Sequence, residues 1–180
     1  MKKLIFSLLL VVTASVKAQK IEVIASYGIP SIYGIGNDLA SGIISSVSNS
    51  KSPTSNGVVA IGVMAYNNDM KWRFGVDATN EFFSKTESVS NKNITSILPK
   101  ADYFWFRKDR LKLYSGAAVG VSFENTTYVS KDKVKSKDKS TNFGYNVVPI
   151  GLRYGGDFSV FIETNIGMKG IAQAGVSYRF

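Results

Sequence analysis

The chain has 180 residues, with 22 lysines and arginines against 13 acidic residues, no histidine and no cysteine. Without cysteine no disulfide can brace it, and without either residue type the usual zinc, copper and haem ligand sets and the histidine general base are missing, which excludes histidine-dependent hydrolysis. The basic balance would suit a nucleic-acid binder, yet no segment carries a basic helical stripe interleaved with aromatics, so no nucleic-acid partner and no catalytic, cofactor-binding or metal-binding residue is expected.

Met1-Lys2-Lys3 is a basic start, Leu4 to Val12 is a nearly unbroken apolar run, and Val16-Lys17-Ala18 presents small or modest side chains where a signal peptidase reads. Residues 1–18 are therefore predicted to be a signal peptide, with residues 19–180, beginning at Gln19, as one mature domain. The apolar run is shorter than the roughly 20 residues a spanning helix needs, and charged and polar residues interrupt every later apolar run well before about 18 residues, so any membrane span must be made of strands.

After the signal, apolar residues recur at every second position, the mark of strands with two unlike faces. Ile21 to Ile29 sets Ile21, Val23, Ala25, Tyr27 and Ile29 against Glu22, Ser26 and Gly28. Gly57 to Tyr66 follows, and Lys71 to Phe83 sets Trp72, Phe74, Val76, Ala78 and Phe82 against Arg73, Asp77 and Glu81. A fourth segment, Ile94 to Phe106, sets Ala101, Tyr103 and Trp105 against Lys100 and Asp102, with Phe104 and Phe106 blurring its end. The fifth opposes Leu111, Leu113, Ala117, Val119, Val121 and Phe123 to Lys112, Gly116, Gly120, Ser122 and Glu124. Asn142 to Tyr154 changes phase between Tyr145 and Val148, which predicts a β-bulge near Pro149. The seventh segment sets Phe158, Val160, Ile162 and Ile166 against Ser159, Glu163 and Asn165, and the eighth sets Ala172, Ala174, Val176, Tyr178 and Phe180 against Gln173, Gly175, Ser177 and Arg179.

The connections alternate between long (Pro30 to Asn56, Ser84 to Asn93, Asn125 to Thr141) and short (Asn67 to Met70, Arg107 to Arg110, Gly155 to Asp157), and only Gly167 to Gly170 is short where a long one is due. Long loops on one side and tight turns on the other fit an antiparallel transmembrane barrel with both termini on the turn side. In the first loop Asn37 could cap a short helix with Ala40, Ile43, Ile44 and Val47 on one face. In the third, Lys131, Lys133, Lys135, Lys137 and Lys139 stand among two aspartates and read as an exposed, solvated run able to meet anionic polymers.

Alternation alone does not say which face meets lipid. Aromatics gather at the segment ends, with Tyr66, Trp72, Tyr103, Trp105, Tyr154, Phe158, Tyr178 and Phe180 toward the turns and Tyr27, Phe82, Phe123 and Phe143 toward the loops, as two interfacial girdles would. The polar face carries nearly balanced charges, Glu22, Asp77, Glu81, Asp102, Glu124 and Glu163 against Arg73, Lys100, Lys112, Arg153 and Arg179, which are expected to fill the interior of a narrow barrel as a paired network.

The C-terminal strand, with Val176, Tyr178 and the terminal Phe180 alternating on one face, resembles the recognition strand of Gram-negative outer-membrane barrels, and nearly all of Gln19 to Phe180 resembles the small outer-membrane β-barrel proteins of the OmpA/OmpX type. The resemblance implies an eight-stranded antiparallel up-and-down transmembrane β-barrel in the cell outer membrane, a monomer surrounded by outer-membrane lipid and lipopolysaccharide, assembled by the barrel-assembly machinery through its last strand. With no histidine base and no cysteine or histidine ligand, no enzymatic activity and no cofactor are expected. A structural or surface-interaction role through the loops is the leading expectation. A narrow passive pore and a soluble lipocalin-like barrel that binds an apolar ligand are the alternatives.

Overall fold

The computed structural model describes residues 20–31, 34, 53–129 and 134–180. Its strands are β1 (Ile21–Gly28), β2 (Ser55–Tyr66), β3 (Trp72–Phe83), β4 (Val89–Lys108), β5 (Leu111–Val129), β6 (Lys135–Gly155), β7 (Phe158–Thr164), β8 (Ile166–Gly167) and β9 (Ala172–Arg179). β7 and β8 lie end to end against β6, parted at Asn165, and occupy one position in the wall, so the ring has 8 strands. Strands adjacent in the ring pair antiparallel, with β7 between β6 and β9, and β1 closes the ring on β9 with Glu22 opposite Arg179 and the Phe180 amide donating to the Ile21 carbonyl at 2.8 Å. Closure leaves no sheet edge within the ring, which backbone groups in hydrocarbon require.

The two faces fall as a lipid-exposed wall demands. Val119 and Ile162 are 56% and 57% exposed on the outside, while Arg73 and Glu163 are 1% and 3% exposed inside. A soluble ligand-binding barrel would show the reverse arrangement. Trp72, Tyr103, Trp105, Tyr154, Phe158, Tyr178 and Phe180 project outward toward the turn side, and Tyr27, Phe82, Phe123 and Phe143 project outward toward the loop side.

The wall departs from the sequence pattern at four places. Tyr66 is not part of the turn-side girdle: it shares its phase with Met64 and points inward, fully buried. The phase of β6 breaks at Pro149 and Ile150, two consecutive outward residues, and not between Tyr145 and Val148, where alternation is intact. The matching register shift faces β5 between Tyr114 and Gly116.

Third, β4, β5 and β6 run far beyond the segments the apolar pattern marks, so most of the second and third loops is strand. The β5–β6 ladder continues unbroken from Gly116 opposite Val148 up to Val129 opposite Lys135. Lys135, Lys137 and Lys139 therefore stand on β6, not in a loop. Fourth, the last connection is short because it turns into the barrel mouth. Gly167 (φ 141°) and Gly170 (φ 87°) adopt backbone angles that side chains disfavour, and between them Lys169 points inward. The signal segment 1–18, the first-loop helix proposed over Asn37 to Val47, and Lys131 and Lys133 lie outside the described residues.

Candidate functional site

The barrel interior is built from the polar faces of opposed strands. Arg73 on β3 is its hub: the guanidinium donates to Asp102 (2.7 Å) and Glu22 (2.8 Å) and lies 3.8 Å from Glu163. Its carbon centre sits 4.7 Å from the Tyr114 ring centroid and 5.2 Å from that of Phe104, so aromatic faces close the sides that carboxylates leave open. Lys100 on β4 reaches Glu163 (3.2 Å), Asp102 (3.3 Å) and Asp77 (3.8 Å). Arg153 on β6 pairs with Glu22.

Glu163 on β7 gathers the most partners. Besides Arg73 and Lys100 it accepts from the Tyr114 hydroxyl at 2.5 Å, from the Gln173 amide and from Lys169 at 3.5 Å. Lys169 also reaches Asp77 at 2.6 Å, and its own backbone amide is held by the Asn146 side chain at 3.1 Å, which aims the turn inward. Small residues make room: a Cβ at Gly116 would collide with the Asp102 carboxylate and one at Gly151 with the Tyr114 ring. Charges buried this deeply are tolerable only when paired and hydrogen-bonded, and side chains of this size fill the middle of an eight-stranded barrel.

The residues expected in this network do not all meet. Glu22, Arg73, Asp77, Lys100, Asp102, Arg153 and Glu163 converge in the centre. Glu81 stands apart near the loop-side mouth, where it accepts from the Ser31 amide (3.0 Å), the Ser31 hydroxyl (2.6 Å) and the Ser55 hydroxyl (2.5 Å) and so ties the start of the first loop to the wall. Glu124 pairs instead with Lys92 at 3.0 Å on the protruding strands. Arg179 reaches Asp157 of the β6–β7 turn at 2.8 Å, and this hydrogen bond holds the Asp157 carboxyl below the usual range. Lys112 is half-buried opposite Arg153 and makes no ion pair among the described residues.

Lys169, Tyr114 and Tyr66 are the members that sequence reasoning missed. Tyr66 donates to Glu22 at 2.8 Å and stacks on Phe104 with centroids 5.7 Å apart. Tyr66→Phe is expected to lower the stability of the folded barrel by about 1.5–3 kcal/mol, the worth of a hydrogen bond to a charged group. The shift of the urea midpoint in detergent micelles checks it.

Above the barrel proper, β4, β5 and β6 continue as a three-stranded extension. Lys135, Lys137 and Lys139 are exposed there, at alternate positions and hence on one face.

An apolar outer wall, two aromatic girdles and an ionic interior define the chain as a small transmembrane β-barrel of the outer-membrane type. No protein-family model and no curated protein matches its sequence. Among solved structures it is similar to Neisserial surface protein A (NspA), with a TM-score of 0.56 and 18% identity over 91% of this chain and 98% of that one. It is also similar to the N-terminal β-barrel domain of Pseudomonas aeruginosa OprF, with a TM-score of 0.50 and 15% identity over 89% of this chain and 97% of that one. At such identities the likeness is one of architecture.

Proposed function

We propose that this chain is a non-catalytic outer-membrane protein with a structural and surface-interaction role, and that its lysine-rich protruding strands contact anionic surface polymers such as lipopolysaccharide. In this reading the N-terminal signal peptide exports it, and the strand bearing Val176, Tyr178 and Phe180 presents it to the barrel-assembly machinery. The barrel then works as a monomer in the outer membrane.

The observation that carries the reading is the division of labour between the two ends of the strands. The interior charges neutralise one another and fill the lumen, whereas the exposed ammonium groups of Lys135, Lys137 and Lys139 have no carboxylate partner among the described residues. Unpaired cations that protrude from a membrane are free to meet anions outside it. The likeness to NspA and to the OprF barrel domain supports the location.

The test is binding of the detergent-folded protein to soluble lipopolysaccharide. Affinity is expected to fall several-fold when Lys131, Lys133, Lys135, Lys137 and Lys139 are all changed to Gln. It should also fall as salt shortens the screening length from about 10 Å at 0.1 M to about 3 Å at 1 M. Equal binding by parent and variant would discard the reading.

A further inference from the structure

The β5–β6 hairpin sorts its charges by face. On β6, Phe143 and Val147 stand out from the wall while Gly144, Asn146 and Val148 point in, and the ladder above them has no register shift. The same alternation carried upward puts Thr141, Lys139, Lys137 and Lys135 on the outward face, and Ser140, Asp138 and Ser136 on the inward one. On β5 the outward partners are neutral: Asn125 stands opposite Lys139, Thr127 opposite Lys137 and Val129 opposite Lys135. Among the described residues the acids of the hairpin, Glu124 and Asp138, fall on the inward face, where Glu124 is already engaged by Lys92. The outward face thus presents three ammonium groups and no carboxylate among the described residues.

The height of this column identifies its partner. Phe143 belongs to the loop-side aromatic girdle, which marks the boundary between acyl chains and headgroups. Lys139 lies four residues further along the strand, about 14 Å at 3.4 Å per residue and about 10 Å along the axis of a barrel whose strands tilt near 40°. A lysine side chain reaches back toward such a boundary along its own methylene stem. Its ammonium group then stands at the depth of lipid phosphates, with Lys137 and Lys135 in the headgroup layer above. An outward-facing column cannot easily reach a partner above the barrel, but it faces the lipids beside it.

We propose that the outward face of the β5–β6 hairpin binds the phosphate groups of phosphorylated glycolipid in the barrel's own leaflet. This rests on the surface-interaction reading and adds to it a face, a depth and a lipid source. The same lysines also line the upper part of β6, whose described partner is β5 alone, and lysine on an open edge discourages pairing with other chains. Edge protection is therefore the rival that the experiment must separate.

The mature barrel is folded into phosphatidylcholine vesicles that contain a minority of either bisphosphorylated lipid A or its dephosphorylated form. Lipid retained after gentle detergent extraction is then counted by native mass spectrometry, and heat-dependent gel migration reports folding. The parent is expected to retain several-fold more of the bisphosphorylated form, and the triple variant Lys135→Gln, Lys137→Gln, Lys139→Gln is expected to retain both forms equally.

A second variant exchanges neighbours, Lys135→Ser with Ser136→Lys and Lys139→Ser with Ser140→Lys. It keeps the net charge but moves two ammonium groups to the inward face. It should lose most of the preference for phosphorylated lipid yet still bind soluble polyphosphate in a salt-sensitive way.

If the exchanged variant prefers phosphorylated lipid as strongly as the parent, or if the parent shows no preference while polyphosphate binding stays lysine-dependent, this inference fails and the surface-interaction reading stands. If neither lipid retention nor polyphosphate binding responds to the lysines, both fail. A triple variant that self-associates with unchanged lipid preference would show that the lysines only guard the edge.

Discussion

Glu163→Ala is expected to destabilise the folded barrel by about 3–5 kcal/mol, the cost of removing one member of a buried, hydrogen-bonded charge cluster. The loss is large because Glu163 is shared. Without it the Tyr114 hydroxyl and the Gln173 amide lose their acceptor, and Lys100 and Lys169 must divide Asp77 and Asp102 between them. Glu163→Gln keeps the shape and an acceptor oxygen but not the charge, so it should fall between parent and alanine variant. Urea titration of the lipid-reconstituted protein, followed by gel migration of unheated samples, measures both.

The cause can be separated from mere loss of packing. Glu163→Ala combined with Lys169→Ala should cost less than the sum of the single changes, since the second removes a cation that the first leaves under-compensated. A Glu163→Ala variant within about 1 kcal/mol of the parent would mean that the pairing barely exceeds its desolvation cost.

The wall was legible in the sequence because one physical rule, alternation between lipid and lumen, governs every residue in it. The same rule could have corrected the girdle: Tyr66 follows Ile61, Val63 and Ala65 in the opposite phase, and Phe104 keeps the phase of Lys100 and Asp102. Tyr66 reads as a girdle residue by its chemistry, an aromatic near a strand end, and Phe104 reads as a break in the pattern, whereas phase is the better guide to both.

The protruding strands were missed for a different reason. Outside the membrane the ladder no longer needs an apolar side, so the contrast that marks a strand disappears while its hydrogen bonds continue. What remains is a period of two in charge, Lys135, Lys137 and Lys139 separated by Ser136 and Asp138, which in the sequence reads equally as a solvated run. Lys169 carried no periodic signal at all. It sits in a turn, and only the inward fold of Gly167 and Gly170 brings it to Asp77, 92 residues earlier in the chain.

Ile61→Arg is expected to cost about 2–4 kcal/mol, the penalty for a cation on the lipid face near the bilayer midplane. The register sets the depth. Ile61 pairs with Ala78, and Ala78 lies midway along β3 between Phe74 and Phe82, which project outward toward the two opposite boundaries. Asn93 faces the same hydrocarbon side but pairs with Phe82, level with the loop-side girdle, so Asn93→Arg should cost only about 0–1 kcal/mol. The two variants add the same side chain to the same face and differ in depth alone. Urea titrations in phospholipid vesicles should therefore show a large loss for the first and almost none for the second. In detergent micelles, whose thinner and more pliant apolar layer lets the arginine reach water, the gap should narrow. Equal costs at the two depths would mean that the outward face does not sit in a bilayer, because on a water-exposed wall an arginine at either height would be solvated alike.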